Sequence, residues 1–216
     1  LTGIAPNDRL GHAPAHAALG RLLLNSPQQS AETLLLAHRH LTLAILKRPA
    51  DDDSRALLGL ACLKLGRGQE AIDNLRGIAV IRPELKVLLA QLYLAQNDTE
   101  KAQKLAEEAR EHFAPLHGQL PADDRIAIHL AKCLSILDQH EAAATVILQT
   151  LQVAPSTALK SALAQTLIAQ ADLLPHRDAD GIRRRVELYR RAMLANPAEP
   201  QLFQRLNALL QESGES

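Results

Sequence analysis

The chain has 216 residues, of which 47% are hydrophobic and only 2% aromatic, and its 24 basic residues balance 24 acidic ones. This neutrality argues against a nucleic-acid or anionic-membrane binder, and so few rings argue against a base-stacking surface. No apolar run approaches the roughly 20 residues of a membrane span, and two cysteines are too few for a disulfide scaffold. The Leu and Ala content favours helices packed on helices.

From residue 13 onward, apolar residues recur at helical spacing, and a proline closes each pair of helices. Pro49 and Pro83 are 34 residues apart, and residues before them match at the same separation, as Leu41 and Leu75 do. Residues 1–12 are expected to precede the array and 213–216 to form a polar tail. Roughly eleven helices and no strand are predicted, in pairs at 13–49, 52–83, 84–114, 122–155 and 156–197, with a cap helix at 198–212.

Polar residues mark where several of these helices begin. Asp51–Asp53 suit the positive end of a helix, and Asp98 or Thr99 can cap the helix that follows. In the first pair, Ser26 and Pro27 are expected to open the second helix. The second helix of the next pair is expected to extend to Ile81, and two inserted loops are expected, at 115–123 and at 175–181.

Small residues and prolines recur at fixed places in these pairs, and the chain resembles the tetratricopeptide repeat family in them. That family has a 34-residue helix-turn-helix unit with a small residue where the helices cross. The resemblance implies an all-α, right-handed superhelical solenoid of about five helix pairs with a C-terminal capping helix. The residues that carry it are Leu58-Gly59, Leu89-Ala90 and Leu130-Ala131 in first helices, Ala37, Ala71, Ala102 and Ala143 in second helices, and the closing Pro49, Pro83, Pro155 and Pro197.

The stretch Gly66-Arg67-Gly68 raises the question of a phosphate-binding loop. A phosphate loop follows a strand and opens a helix, whereas a helix precedes this stretch. The other repeats carry "QNDT" and "LDQH" at the same place. We therefore interpret it as a plain turn in which glycine supplies a positive φ.

No catalytic set, cofactor site or metal site is predicted. His38 and His40 lie two residues apart, which directs them to different sides of a helix. The nine histidines form no metalloprotease motif, and the two cysteines form no metal-binding pair. Cys62 and Cys133 are interpreted as buried packing residues. The basic run Arg183–Arg185 is interpreted as the solvated face of an amphipathic helix, with docking of an acidic partner or a phosphate as the alternative.

The resemblance implies a binding groove lined by the first helix of each pair. The lysines of a carboxylate clamp used by some relatives are replaced, as at Ala56, so we do not predict a chaperone co-factor. We predict a non-enzymatic scaffold that binds a peptide or protein, in a bacterial setting suggested by the Ala- and Leu-rich repeats. The predicted groove residues are Arg21, Leu60, Lys64, Val87, Gln91, Leu94, Arg125, Ile128, Lys132 and Gln165.

Two alternatives stay open. The chain could be the substrate-recruiting or regulatory arm of a larger enzyme or a secretion or assembly machine, or it could self-associate into a homo-oligomer. Because it begins at Leu1 rather than methionine, we expect a fragment or processed form from which a signal or anchor could have been removed. The compartment stays open, with the cytoplasm and the periplasm as the two alternatives.

Overall fold

The structure, a computed structural model, describes residues 11–26, 30–175, 178–198 and 202–213. Every regular element in those ranges is an α-helix. Among these helices, none combines the length and hydropathy that a membrane crossing requires. The chain divides into two compact units, Leu1–Leu92 and Tyr93–Ser216.

The first unit is a stack of helices in which small residues lie at the crossings. Helix α1 packs on α2, α2 on α3, and α3 on α4, and the first helices α1 and α3 also touch. A Cβ added at Gly20 would lie 2.6 Å from Leu41 Cγ, and one at Gly59 would lie 2.5 Å from Leu75 Cγ. The helices are α1 (Ala13–Leu24), α2 (Ala31–Lys47), α3 (Asp52–Lys64), α4 (Gly68–Leu75) and α5 (Pro83–Ala95), whose last residues belong to the second unit.

The second unit repeats the arrangement. Each helix from α6 to α11 packs on the next, and the first helices α7 and α9 also touch. Its core is built mainly of alanine and leucine, with Ala131 and Ala164 at the positions that correspond to Gly59 and Gly20. The helices are α6 (Thr99–Gln119), α7 (Asp124–Ile136), α8 (His140–Val153), α9 (Thr157–Asp172), α10 (Ala179–Ala195) and α11 (Leu202–Ser213).

Side-chain caps fix the start of several helices. Asp51 and Asp98 each accept a hydrogen bond from a backbone N–H three residues on, as the sequence predicts. Helix α2 differs from its prediction because Ser30, not Ser26, is its N-cap and accepts from the Thr33 N–H. Pro27 lies outside the described residues.

The glycine-rich stretch is a turn, as predicted. Gly66 has a φ of 73°, and Asn97 (61°) and Asp138 (60°) occupy the same place in later repeats. Each is followed by a residue whose N–H reaches five residues back, as from Arg67 to the Cys62 carbonyl at 2.8 Å. Gly, Asn and Asp are the residues that adopt this left-handed conformation most readily, so the sequence changes while the turn stays.

Two predicted helix ends are wrong. Helix α4 stops at Leu75 instead of Ile81, because Gly77 weakens the helix and the next bond, from Ile78 N–H to the Leu75 carbonyl, spans only three residues.

Helix α6 continues through Pro115 to Gln119, so the first part of the expected inserted loop is helical. An interior proline costs a helix roughly 3 kcal/mol. Contacts on both sides offset it, since Phe113 is buried and His117 Nε2 lies 3.0 Å from Thr150 Oγ1 of α8.

Candidate functional site

A cleft of about 480 Å³ lies between the first helices α1 and α3 of the first unit. It contains Arg21, one of the predicted groove residues, together with Arg48, Asp51 and Asp53. Burial alone would raise the pKa of Asp51, but hydrogen bonds from the backbone N–H and hydroxyl of Ser54 lower it below its ordinary value. The cleft therefore presents fixed negative and positive groups side by side.

The other predicted groove residues of the first unit lie outside this cleft. Lys64 and Gln91 are exposed on α3 and α5, and Leu60 is half-buried. Val87 is only 1% exposed and belongs to the core, so its prediction as a partner contact is wrong. Its prediction came from projecting the groove-facing positions of the resembled family onto this chain, and at this position the side chain is buried instead.

In the second unit, three predicted residues share one face of α7. Arg125, Ile128 and Lys132 follow one another at spacings of three and four, which brings them to the same side of a helix. Gln165 is exposed on the adjacent first helix α9, and Leu94 is 42% exposed on α5. We call Arg125, Ile128 and Lys132 the α7 face.

Lys132 is the unusual member of the α7 face. It is partly buried, and this burial lowers the pKa of its ammonium group. No neighbouring charge contributes to the shift within the described residues. A cation in this state is stabilised by a carboxylate brought to it by a partner.

A polar cluster in the first unit was not predicted from the sequence. His38 of α2, Cys62 of α3 and Glu70 of α4 place one nitrogen, one sulfur and one oxygen atom within 4.8 Å of one another. His38 Nε2 lies 2.6 Å from Glu70 Oε1, and Arg67 Nη1 lies 3.4 Å from Glu70 Oε2. The three residues come from three different helices, so no local spacing indicates their meeting.

Hydrogen bonds and charge shape this cluster, which we call the His38–Cys62–Glu70 cluster. The pKa of Glu70 is lowered, chiefly by its hydrogen bond from His38 and further by the charges of His38 and Arg67 and the Cys62 thiol, although burial opposes the shift. Burial and the adjacent Glu70 carboxylate raise the pKa of the Cys62 thiol to about 12. The thiol is therefore protonated and donates to Glu70.

A cavity of about 350 Å³ in the second unit lies against α9, α10 and α11. Asp172 accepts hydrogen bonds there from the Tyr189 hydroxyl at 2.6 Å and from Arg205 at 2.9 Å. Arg185 also lines it and is 8% exposed, with no partner found for its Nε within the described residues. The prediction of Arg183–Arg185 as a wholly solvated face is thus wrong at Arg185, which turns inward, and holds for its two neighbours.

No protein-family model matches the sequence, and no curated protein matches it at a significant level. Solved structures do match. The Thermus thermophilus protein TTC0263, a tetratricopeptide repeat protein, is 17% identical with a TM-score of 0.59, over 93% of this chain and 100% of that one. YrrB, described as having an unusual peptide-binding site, is 12% identical with a TM-score of 0.52, over 94% and 96%.

This protein has the tetratricopeptide repeat fold. A third match, human IFIT1 solved as a dimer with m7Gppp-AAAA, is 17% identical with a TM-score of 0.64, and this chain covers about half (48%) of its length. At such identities the likeness shows the fold alone. The predicted all-α repeat class is confirmed, while the identity of a partner has to come from this chain's own surfaces.

Proposed function

We propose that this tetratricopeptide repeat protein is a non-enzymatic scaffold whose α7 face binds an acidic segment of a peptide or partner protein. The observation that carries the proposal is Lys132, a partly buried cation whose pKa is lowered by burial, with no offsetting charge among the residues that the structure describes. A carboxylate from a partner would restore that lost solvation by forming an ion pair.

The rest of the α7 face suits the same ligand. Ile128 is half-buried and offers apolar contact between the two cations, while Arg125 is exposed at the start of the helix. Gln165 on α9 adds a neutral hydrogen-bonding group on the adjacent first helix. An apolar anchor flanked by groups that fix register is the usual arrangement for peptide recognition.

The test is to select binders from a random peptide library on the wild-type protein and to measure their affinities for variants by titration calorimetry. We expect the selected peptides to be acidic. Lys132→Glu should weaken binding by about tenfold or more, since it places like charges together. Lys132→Met, which keeps the apolar stem, should weaken it less.

Lys104→Glu is the matched control, because Lys104 is an exposed lysine on the second helix α6 of the same unit. The Lys104→Glu variant should bind the selected peptides with the affinity of the wild type. Selected peptides that bind Lys132→Glu as tightly as the wild type, or a preference for short RNA over every acidic peptide, would show that the proposal is wrong.

A further inference from the structure

We propose that the His38–Cys62–Glu70 cluster is a binding site for a single divalent transition-metal ion of the zinc class. The site lies wholly within the first unit, between α2, α3 and α4. It is distinct from the α7 face, and the proposal does not depend on the one above.

The ligand chemistry selects the class of metal. The cluster offers one imidazole nitrogen, one sulfur and one carboxylate oxygen. Zinc binds all three types, and three protein ligands with a water or a substrate at the fourth position are typical of its open sites. Magnesium and calcium prefer oxygen ligands throughout, so a fully buried cysteine is a poor ligand for them.

The geometry requires only small movements. In a tetrahedral zinc site, neighbouring ligand atoms lie about 3.5 Å apart. The ligand atoms of the cluster already lie within 4.8 Å of one another, and the His38–Glu70 distance of 2.6 Å has to open by roughly 1 Å. Glu70 has the freedom for this because its side chain is 41% exposed, whereas Cys62 stays fixed in the core.

Burial separates an inner ligand from two outer ones. Cys62 is fully buried, while His38 is 18% and Glu70 41% exposed in their side chains. An ion can therefore enter from the side of Glu70 and reach the sulfur last. The exposed side would leave one coordination position to water.

Proton balance follows from the state of the thiol. On binding, the Cys62 S–H bond breaks, a metal–sulfur bond forms, and the proton leaves to solvent. The ion also takes the place of the hydrogen bonds that His38 and the thiol now make to Glu70. Binding thus exchanges a proton on the sulfur for the metal ion.

Arg67 provides an internal check on the site. Its guanidinium lies 3.5 Å from His38 Nε2 and 3.4 Å from Glu70, at the edge of the cluster. This positive charge opposes a metal ion, and it must swing outward when one binds. A purely structural hydrogen-bond network would gain nothing from its removal, whereas a metal site would bind more tightly.

The experiment is a titration of the full, metal-free chain with Co²⁺, followed by near-ultraviolet absorption. A bound cobalt–thiolate gives a charge-transfer band that imidazole and carboxylate alone do not give. We expect one ion per chain, displacement by Zn²⁺, and loss of the band in Cys62→Ala. Cys133→Ala is the matched control, because Cys133 is equally buried but lies in the second unit.

Two more variants keep the test independent of folding. Glu70→Gln retains the size of the side chain and should weaken cobalt binding at least tenfold, with helical content checked by circular dichroism. Arg67→Gln should tighten it by up to about fivefold. Absence of a thiolate band in the wild type, its persistence in Cys62→Ala, or its loss in Cys133→Ala would overturn the proposal.

Discussion

Where α1 packs on α2 and α3 packs on α4, the first unit uses glycine, whereas the second unit uses alanine at the corresponding places in α7 and α9. A Cβ at Gly59 would lie 2.5 Å from Leu75 Cγ, and one at Gly20 would lie 2.6 Å from Leu41 Cγ. Ala131 and Ala164, at the corresponding places in the second unit, are buried with their Cβ atoms in place. In the first unit, therefore, the side chains of Leu41 and Leu75 occupy the space that a Cβ at the crossing would need.

Buried polar groups differ between the units as well. In the first unit, His38 is paired with Glu70 and His40 stacks on His16 with ring centroids 5.0 Å apart. In the second unit, His140 is 8% exposed and neither ring nitrogen has a hydrogen-bond partner within the described residues, although Nε2 lies 3.9 Å from Asp138 Oδ1. His140 differs from these first-unit imidazoles because neither of its ring nitrogens has a hydrogen-bond partner among the described residues.

The largest expected effect comes from breaking the close crossing of the first unit. Gly59→Val should lower the free energy of unfolding by about 3 kcal/mol, because Leu75 is fully buried and cannot move aside. Urea unfolding followed by far-ultraviolet circular dichroism measures it. Ala131→Gly removes a Cβ at the corresponding place in the second unit and should cost only about 1 kcal/mol, the helix-propensity difference. Equal losses in the two variants would contradict the clash with Leu75 as the source of the larger loss.

The sequence predicted the helix pairs because their apolar period, closing prolines and capping residues are local signals. Asp51 and Asp98 are caps that follow from residue type and position alone. Pro115 shows the limit, since its local preference is overruled by contacts of α6 with distant residues such as Thr150.

The candidate sites depend even more on tertiary contacts. Lys132 was predicted from the repeat frame, but its partial burial was not. His38 and His40 were correctly assigned to different sides of α2, yet this spacing argues only against a site built on one helix. The cluster is completed by Cys62 and Glu70 from the next pair, a meeting that only the packing reveals.

His140 should give the next largest effect. Burial lowers the pKa of His140 in the folded state, and the negative charge of Asp138 opposes this only in part. Below pH 6.5 the unfolded state therefore binds more protons than the folded state. This titration leaves the free energy of unfolding unchanged above pH 6.5 and lowers it as the pH falls below that value. His140→Leu should raise the free energy of unfolding by about 2 kcal/mol at pH 8, since it removes two unsatisfied nitrogens.

The same variant should also lose less stability than the wild type between pH 8 and pH 5.5. Urea midpoints at both values measure the change. His40, whose pKa is lowered by burial and by the charges of His16 and Arg39, keeps its own share of the pH dependence in the variant. An unchanged pH dependence in His140→Leu would mean that His140 is hydrated in solution.

The smallest effect concerns the turn between paired helices, where the first unit has Gly66 and the second has Asp138. Gly66→Ala should cost about 1 kcal/mol, and this cost is purely conformational, because nothing lies within 4 Å of the added Cβ and φ is 73°. Asp138→Gly relieves the same strain, at a φ of 60°, and should stabilise the second unit by up to about 1 kcal/mol. Thermal unfolding of the two variants measures both changes in stability. If Gly66→Ala lowers the stability and Asp138→Gly raises it, the difference between the turns is one of backbone conformation. If both variants are less stable than the wild type, the Asp138 side chain contributes to the turn.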